Sequence, residues 1–314
     1  MKAGEPWAPE AVVLGRLHAD LYPEQIGLRL EDVQTFRRFV GGFAGNVGVG
    51  LARLGVPTAV ISSVGDDGHG RFIRRFLEDE GIDTRWVSTH PSARTPLTFC
   101  EIRPPADFPL LAYRPPDAPD WQLTPDLILL DVVLGAPILF VSGTAFAFEP
   151  SRSTTLGVMA RRRQAGPGST VLDLDWRAGY WPDAADYGPQ MREAASFADV
   201  LIGSDEEFRV AGLSPADAAS SDVRNVFLKH GPKGASFLAG DRTEDVPGFP
   251  VEVVNGLGAG DAFAAAVGWG LLRGLDPREI LRLANVAGAM VAERIECSGA
   301  MPTALELTAR AGVA

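Results

Sequence analysis

The stretch Val253-Val254-Asn255-Gly256-Leu257-Gly258-Ala259-Gly260-Asp261, running on into Ala262-Phe263-Ala264-Ala265-Ala266, is the most informative in the chain. Before it, Pro250-Val251-Glu252-Val253-Val254 reads as a strand. After it, the Ala-rich run to Arg273 reads as a helix, closed by Gly274 and then Pro277. Between them the chain turns on Gly256, Gly258 and Gly260. Such a turn lets backbone N–H groups point outward together at the positive end of a helix dipole, which makes an anion site. Asp261 falls in the first helical turn, beside where a phosphate would lie. A carboxylate there can hold and deprotonate a hydroxyl attacking phosphorus while the N–H groups take the charge of the phosphoryl in transfer. The dipole should keep Asp261 ionised and a weak base. The same nine residues also fit a plain Gly-rich turn with Asp261 as an ordinary first-turn acid.

Gly258-Ala259-Gly260-Asp261 resembles the signature of the ribokinase-like (PfkB) sugar kinases, in which these residues form the anion hole and the catalytic base. The usual signature begins Asp-Thr. Asn255-Gly256 stands there instead, the form associated with the 5-dehydro-2-deoxygluconokinase branch of that family. The run Asp20-Leu21-Tyr22 through Gln25-Ile26-Gly27 resembles the same branch.

Composition narrows the alternatives. The chain has 314 residues, 46% of them hydrophobic, enough for one large core or two modest ones. Charged residues make up 22%, which argues against wholesale disorder. The net charge of -11 and pI near 4.9 argue against nucleic-acid or anionic-membrane surfaces, and a small anionic ligand would need local Arg or Lys. Cys100 and Cys297 make neither a disulfide framework nor a zinc pattern, which fits a reducing cytosol. His18, His69, His90 and His230 have no ligand spacing and read as surface or packing residues. The N-terminus lacks a basic region followed by an apolar core, so the expectation is a cytoplasmic protein. The apolar run from Val132 to Phe148 is too short and too broken to span a membrane.

Residues 1–10 read as loose. Ala11 to Gly15 is a short buried strand, and Asp20 follows at the end where open α/β sheets bind ligands. Gly41-Gly42 gives backbone freedom before a helix that runs to Leu54. Asn46 alone reads as a helix-start residue. Thr58–Val64 is a strand and Arg71–Glu80 a helix, joined by a scaffold turn. Arg94 to Arg114 alternates as a hairpin that should pair with residues near 17–40. Pro137–Gly143 and Ser169–Asp175, with a helix over about 151–166 between them, give the βαβ rhythm of a sheet covered on both faces.

The resemblance covers roughly residues 11–305. It implies a ribokinase-like three-layer α/β/α sandwich, one domain over 1–314, with a mostly parallel central sheet and a small β-lid formed by about 16–41 and 94–117. It implies ATP-dependent transfer to a sugar or sugar-acid hydroxyl, with Mg2+ bridging the phosphates and a homodimer formed through the lid. Asp261 becomes the base, and Gly258, Ala259 and Gly260 the anion hole. Asp20, Asn46 and Arg114 become substrate contacts, with Arg177 as a second anion contact and Gly41-Gly42 a hinge beneath the lid. Lys229, Gly231, Gly234, Asn255 and Asn285 fall on the nucleotide side. Glu207 is the retained acid of a metal-associated Asn-x-x-Glu pattern whose Asn place holds Ser204. Glu296 stands where the branch has Gly, so a monovalent-cation loop is in doubt.

The branch implies a carboxylated substrate, first 5-dehydro-2-deoxygluconate, then 2-dehydro-3-deoxygluconate, with a neutral ketose or ribose third. An inactive sugar- or nucleotide-binding module is the remaining alternative, opposed by Asp261. An NAD(P) oxidoreductase is disfavoured, because Gly48-Val49-Gly50 lies inside a helix and Arg53 stands at the third glycine. No GxxxxGK[ST] loop marks a P-loop NTPase.

Overall fold

A computed structural model describes residues 8–220 and 223–312. Of the N-terminal segment expected to be loose, residues 1–7 lie outside these described residues. The strands are β1 (Ala11–Leu14), β2 (His18–Pro23), β3 (Phe36–Gly41), β4 (Thr58–Gly65), β5 (Val87–His90), β6 (Leu97–Cys100), β7 (Leu110–Tyr113), β8 (Ile138–Ser142), β9 (Ser169–Asp173), β10 (Val200–Ser204), β11 (Asn225–Lys229), β12 (Gly234–Ala239) and β13 (Arg242–Pro247). The helices are α1 (Phe43–Arg53), α2 (Gly68–Asp79), α3 (Leu130–Gly135), α4 (Ser151–Ala165), α5 (Ala184–Ala195), α6 (Asp205–Ala211), α7 (Pro215–Ala219), α8 (Ala259–Leu272), α9 (Pro277–Ala292) and α10 (Ala304–Ala311).

Alternation along β1 shows why the sheet is covered on both sides. Ala11 and Val13 pack into one apolar cluster with Phe43, Val47 and Phe263. Val12 and Leu14 pack into another with Leu139, Trp121 and Tyr187. Helices therefore cover both faces, giving the three-layer α/β/α sandwich. The main sheet runs β13-β12-β11-β10-β9-β8-β1-β4-β5. All its pairs are parallel except β11–β12 and β12–β13. The strand order reverses beside β1, between β4 and β8, and such a reversal opens a crevice beyond the carboxyl ends of the strands.

A second sheet, β3-β2-β6-β7, grows from that same place, since β2 begins at His18 just past the end of β1. The hairpin expected over Arg94–Arg114 is β6–β7, paired onto β2 in parallel. Among the described residues no helix is long and apolar enough to cross a membrane.

Two expectations are corrected. Residues 250–254 form no strand. The sheet edge is taken by the β12–β13 hairpin, and Val254 and Asn255 instead donate their N–H groups to Ala292 O at the end of α9. The second helix of the chain starts at Gly68, not Arg71, because the Asp67 side chain accepts from the N–H groups of His69 and Gly70.

Candidate active site

The Gly-rich turn is fastened from within. Asn255 is fully buried. Its Oδ1 accepts from Leu257 N–H at 3.0 Å, and its Nδ2 donates to Ile295 O at 2.7 Å. Gly258 takes the left-handed conformation (φ 80°) as the residue capping α8, against Cys297. The first helical hydrogen bond runs from Ala262 N–H to Gly258 O, which leaves the N–H groups before it without helical partners.

Two cavities meet at this turn. One of about 50 Å³ is lined by Gly258 and Asp261 together with Arg16, His18, Asp20, Tyr22, Gly42, Asn46, Arg177 and Cys297. The other, of about 540 Å³, is lined by Ala259 and Gly260 with Lys229, Gly231, Gly234, Asn285, Phe249 and Phe263. The start of α8 is thus a shared wall, with the carboxylate on one side and the glycine backbone on the other.

Asp261 accepts from Asn46 Nδ2 at 2.7 Å, which turns the Asn46 amide nitrogen toward the carboxylate, and Ser298 Oγ lies 2.6 Å from Asn46 Oδ1 and 2.8 Å from Val40 O. Burial pushes the Asp261 carboxyl up to about 6, and the nearby Asp175 charge adds to the rise against Asn46, Arg177 and Arg16. At about 6 the carboxyl is still mostly ionised at pH 7, as expected, but it is a stronger base than an ordinary first-turn aspartate.

Asp175 has φ 37°, the one positive value at a non-glycine among the described residues. Its Oδ2 lies 2.6 Å from Arg16 Nη2 and accepts from Ser142 Oγ at 2.7 Å. Arg177 Nη2 lies 3.2 Å from its Oδ1. Burial raises the Asp175 carboxyl, but Arg16 and Arg177 outweigh burial and hold it below the usual range.

On the larger cavity, Lys229 Nζ lies 3.3 Å from Asp173 and 3.6 Å from Glu207. It also lies 3.5 Å from where a side chain on Gly260 would begin, so its charge sits beside the turn. Burial lowers the Lys229 ammonium, but Asp173, Glu207 and Asp261 outweigh it and keep the group protonated. Asn285 donates to the carbonyls of Val246 and Pro247 at 3.3 and 3.2 Å, tying α9 to the β13 end.

Four expected site residues face neither cavity. Gly41 backs Asp20, whose Oδ2 would lie 2.2 Å from any added Cβ. Asn255 holds the turn. Glu207 accepts from Ser204 N–H and Trp176 N–H, capping α6, with the Lys229 ammonium beside it. Arg114 is the main correction. Its guanidinium makes a bidentate pair with buried Asp120, at 2.5 and 2.8 Å, over the Trp121 ring. The fork that would grip a substrate carboxylate is already occupied, whereas the Arg177 side chain is 45% exposed and lines the smaller cavity. Among the described residues no group of three His, Cys, Asp or Glu is placed to hold a metal. The donor set at the 295–299 loop does not suit a monovalent cation either, because an amide N–H already points at Ile295 O and Glu296 turns toward Arg37.

Sequence reasoning missed Arg16, His18, Tyr22 and Cys297 as cavity residues. Arg16 and His18 had one available signal, their place just after β1 at the sheet's carboxyl edge.

A crevice at the strand reversal, a carboxylate in the first turn of a helix and backbone N–H groups without helical partners beside it are the parts that phosphoryl transfer to a hydroxyl needs. The chain belongs to the pfkB family of carbohydrate kinases, whose family model matches residues 8–304. It is 35% identical over 310 residues to the 5-dehydro-2-deoxygluconokinase of Geobacillus kaustophilus, covering 94% of this chain and 91% of that one. It is 31% identical to the enzyme of that name from Shouchella clausii, covering 96% and 94%. Among solved structures it is similar to a sugar kinase of Pyrococcus horikoshii in complex with ATP (TM-score 0.85, 28% identity, 96% and 99% covered). It is also similar to a Vibrio cholerae fructokinase in a form with fructose, ADP and calcium ion bound (0.83, 25%, 95% and 98%).

Proposed function

We propose that this carbohydrate kinase transfers the γ-phosphoryl group of ATP to a hydroxyl of a sugar acid, 5-dehydro-2-deoxygluconate. The observation that carries the reading is the shared wall: Asp261 opens on the small polar cavity and the Ala259–Gly260 backbone on the large apolar one. The sugar would lie against Asp20, Asn46 and Arg177, and the adenine end of ATP between Phe249, Asn285 and Phe263. Asp261 would orient the attacking hydroxyl and take its proton. The N–H groups of Gly258, Ala259 and Gly260, with Lys229 behind them, would face the charge of the transferring group. Magnesium would be carried chiefly by the nucleotide's phosphates.

The acid substrate is supported by Arg177, a cation on the cavity wall of a protein whose net charge of -11 would otherwise repel an anion. The names of the Geobacillus and Shouchella relatives point the same way. The test is an ATP-coupled assay with 5-dehydro-2-deoxygluconate, 2-dehydro-3-deoxygluconate, fructose and ribose. Arg177→Ala should raise KM for the acid by about tenfold or more, since hydrogen bonds to charged groups are worth about 1.5–3 kcal/mol, and should leave a neutral sugar nearly unchanged. Equal losses for both classes, or a wild-type preference for fructose or ribose, would sink the substrate assignment. A homodimer is part of the proposal. The outer face of the second sheet carries Leu111 and Tyr113, 46% and 58% exposed, with Phe99 against Tyr113 and Phe36. Sedimentation giving a monomer at micromolar concentration would remove that part.

A further inference from the structure

His18, Arg114 and Asp120 form a buried line behind Asp20 that the proposed chemistry does not use. Asp120 is fixed at both oxygens by Arg114, and its Oδ2 also accepts from Leu17 N–H at 2.9 Å, which ties it to the segment between β1 and β2. Arg114 Nη2 lies 3.4 Å from His18 Nδ1. A guanidinium only donates, so His18 Nδ1 must accept, and the ring proton belongs on Nε2. His18 Nε2 lies 3.0 Å from Asp20 Oδ1. The other oxygen, Oδ2, accepts from Tyr22 O–H at 3.0 Å, and Tyr22 O–H contacts Cys297 Sγ at 2.7 Å.

We propose that Arg114 is a positioning residue: anchored by Asp120, it fixes His18 as the neutral Nε2–H tautomer, and His18 with Tyr22 clamps Asp20 in the orientation that meets the sugar. The inference rests on the reading of the smaller cavity as the sugar site. It gives Arg114 a role behind the cavity wall, acting through His18, which lines that wall with Asp20. The groups facing His18 agree with a neutral ring. Burial lowers its pKa, Asp20 opposes, and Arg114 and Arg16 lower it again.

The first test needs no substrate. With four histidines in the chain, ¹⁵N imidazole shifts can be assigned by replacing each in turn. In the wild-type protein His18 should show a protonated Nε2 and a bare Nδ1 from pH 6 to 8. A protonated Nδ1, or an imidazolium across that range, would overturn the proposal whatever the enzyme phosphorylates. The second test is kinetic. His18→Leu removes the Nε2–H donor and should raise the sugar KM by about tenfold while kcat and the nucleotide KM change by less than about threefold. His18→Gln, whose amide can donate from nearly the same place, should recover most of the loss. Arg114→Met should raise the sugar KM in the same way, because His18 Nδ1 then faces no fixed donor and the ring is free to take the Nδ1–H tautomer, which has no donor for Asp20. An unchanged KM in His18→Leu, no recovery in His18→Gln, or an unchanged KM in Arg114→Met would each overturn it. A wild-type enzyme with the expected tautomer but no transfer to any sugar acid would count against the substrate reading and leave the tautomer assignment standing.

Discussion

At Asp261 the chemistry turns on a balance between burial and donors. Burial pushes the carboxyl up to about 6, and activity as a base requires the ionised form. The sign follows directly: kcat/KM should rise with pH through about 6 and level off above it. Asn46 Nδ2 donates to the carboxylate and so favours its charged form. Removing that donor in Asn46→Leu should therefore move the acid limb to higher pH, and a pH–rate profile reads this out. Asp261→Asn should lower turnover by about 10²–10⁴-fold with ATP affinity nearly intact by calorimetry. More than half of wild-type turnover in that variant would remove Asp261 from the mechanism. The turn that carries Asp261 was legible in the sequence because its glycines and its carboxylate are neighbours in the chain, whereas Asn46, Asp175 and Arg16 reach Asp261 from elsewhere. Arg114 was misread for a different reason. Its partner Asp120 is close in sequence, but nothing in the intervening residues shows that the two close on each other in the interior.

Among the elements, α8 was legible from its turn, and the preceding strand was not. Val251, Val253 and Val254 have the composition of a strand, but β propensity measures fit to a pleated, half-buried surface. Here Val251 and Val253 find that surface as the wall of the larger cavity. The β12–β13 hairpin takes the sheet edge instead, and nothing local in 250–254 reports that competition. The turn itself makes a sharper prediction. Gly258 stands at φ 80°, and a Cβ there would come within 2.9 Å of Cys297. Gly258→Ala should cost about 1–2 kcal/mol from the left-handed backbone alone. It should also tilt the N–H groups off the phosphate, so its loss of turnover should exceed what its lowered Tm explains. An active variant with wild-type turnover would show that the turn tolerates a side chain.

For the whole molecule, the size of the smaller cavity matters most. About 50 Å³ holds a few waters rather than a six-carbon acid, so we expect the second sheet to move outward when the sugar enters. The chain leaves β3 through Gly41 and Gly42, the proposed hinge; Gly42 has φ 91°, and a Cβ there would clash with Arg16 O, so glycine alone fits. Amide exchange in β2 and β6 should slow when sugar acid and an ATP analogue are both present, relative to either alone. Equal exchange in all states would rule out the movement. Both ligands should also raise Tm, since each binds only the folded chain.

The helix behind the turn has a further consequence. On the side away from the substrates, α8 packs closely against its neighbours through glycines. An added methyl would meet Ala265 from Gly50 at 2.6 Å, Phe140 from Gly268 at 2.4 Å, and Ile280 from Gly270 at 2.6 Å. Such contacts act like a machinist's datum face: they leave α8 no slack along its axis, so the phosphate end stays where the rest of the molecule sets it. Gly268 lies seven residues, about 10 Å of helix, from Asp261. Gly268→Ala is therefore expected to press α8 away from Phe140 and to lower kcat by more than its change in Tm explains; an unchanged kcat would show that the Phe140 ring absorbs the methyl.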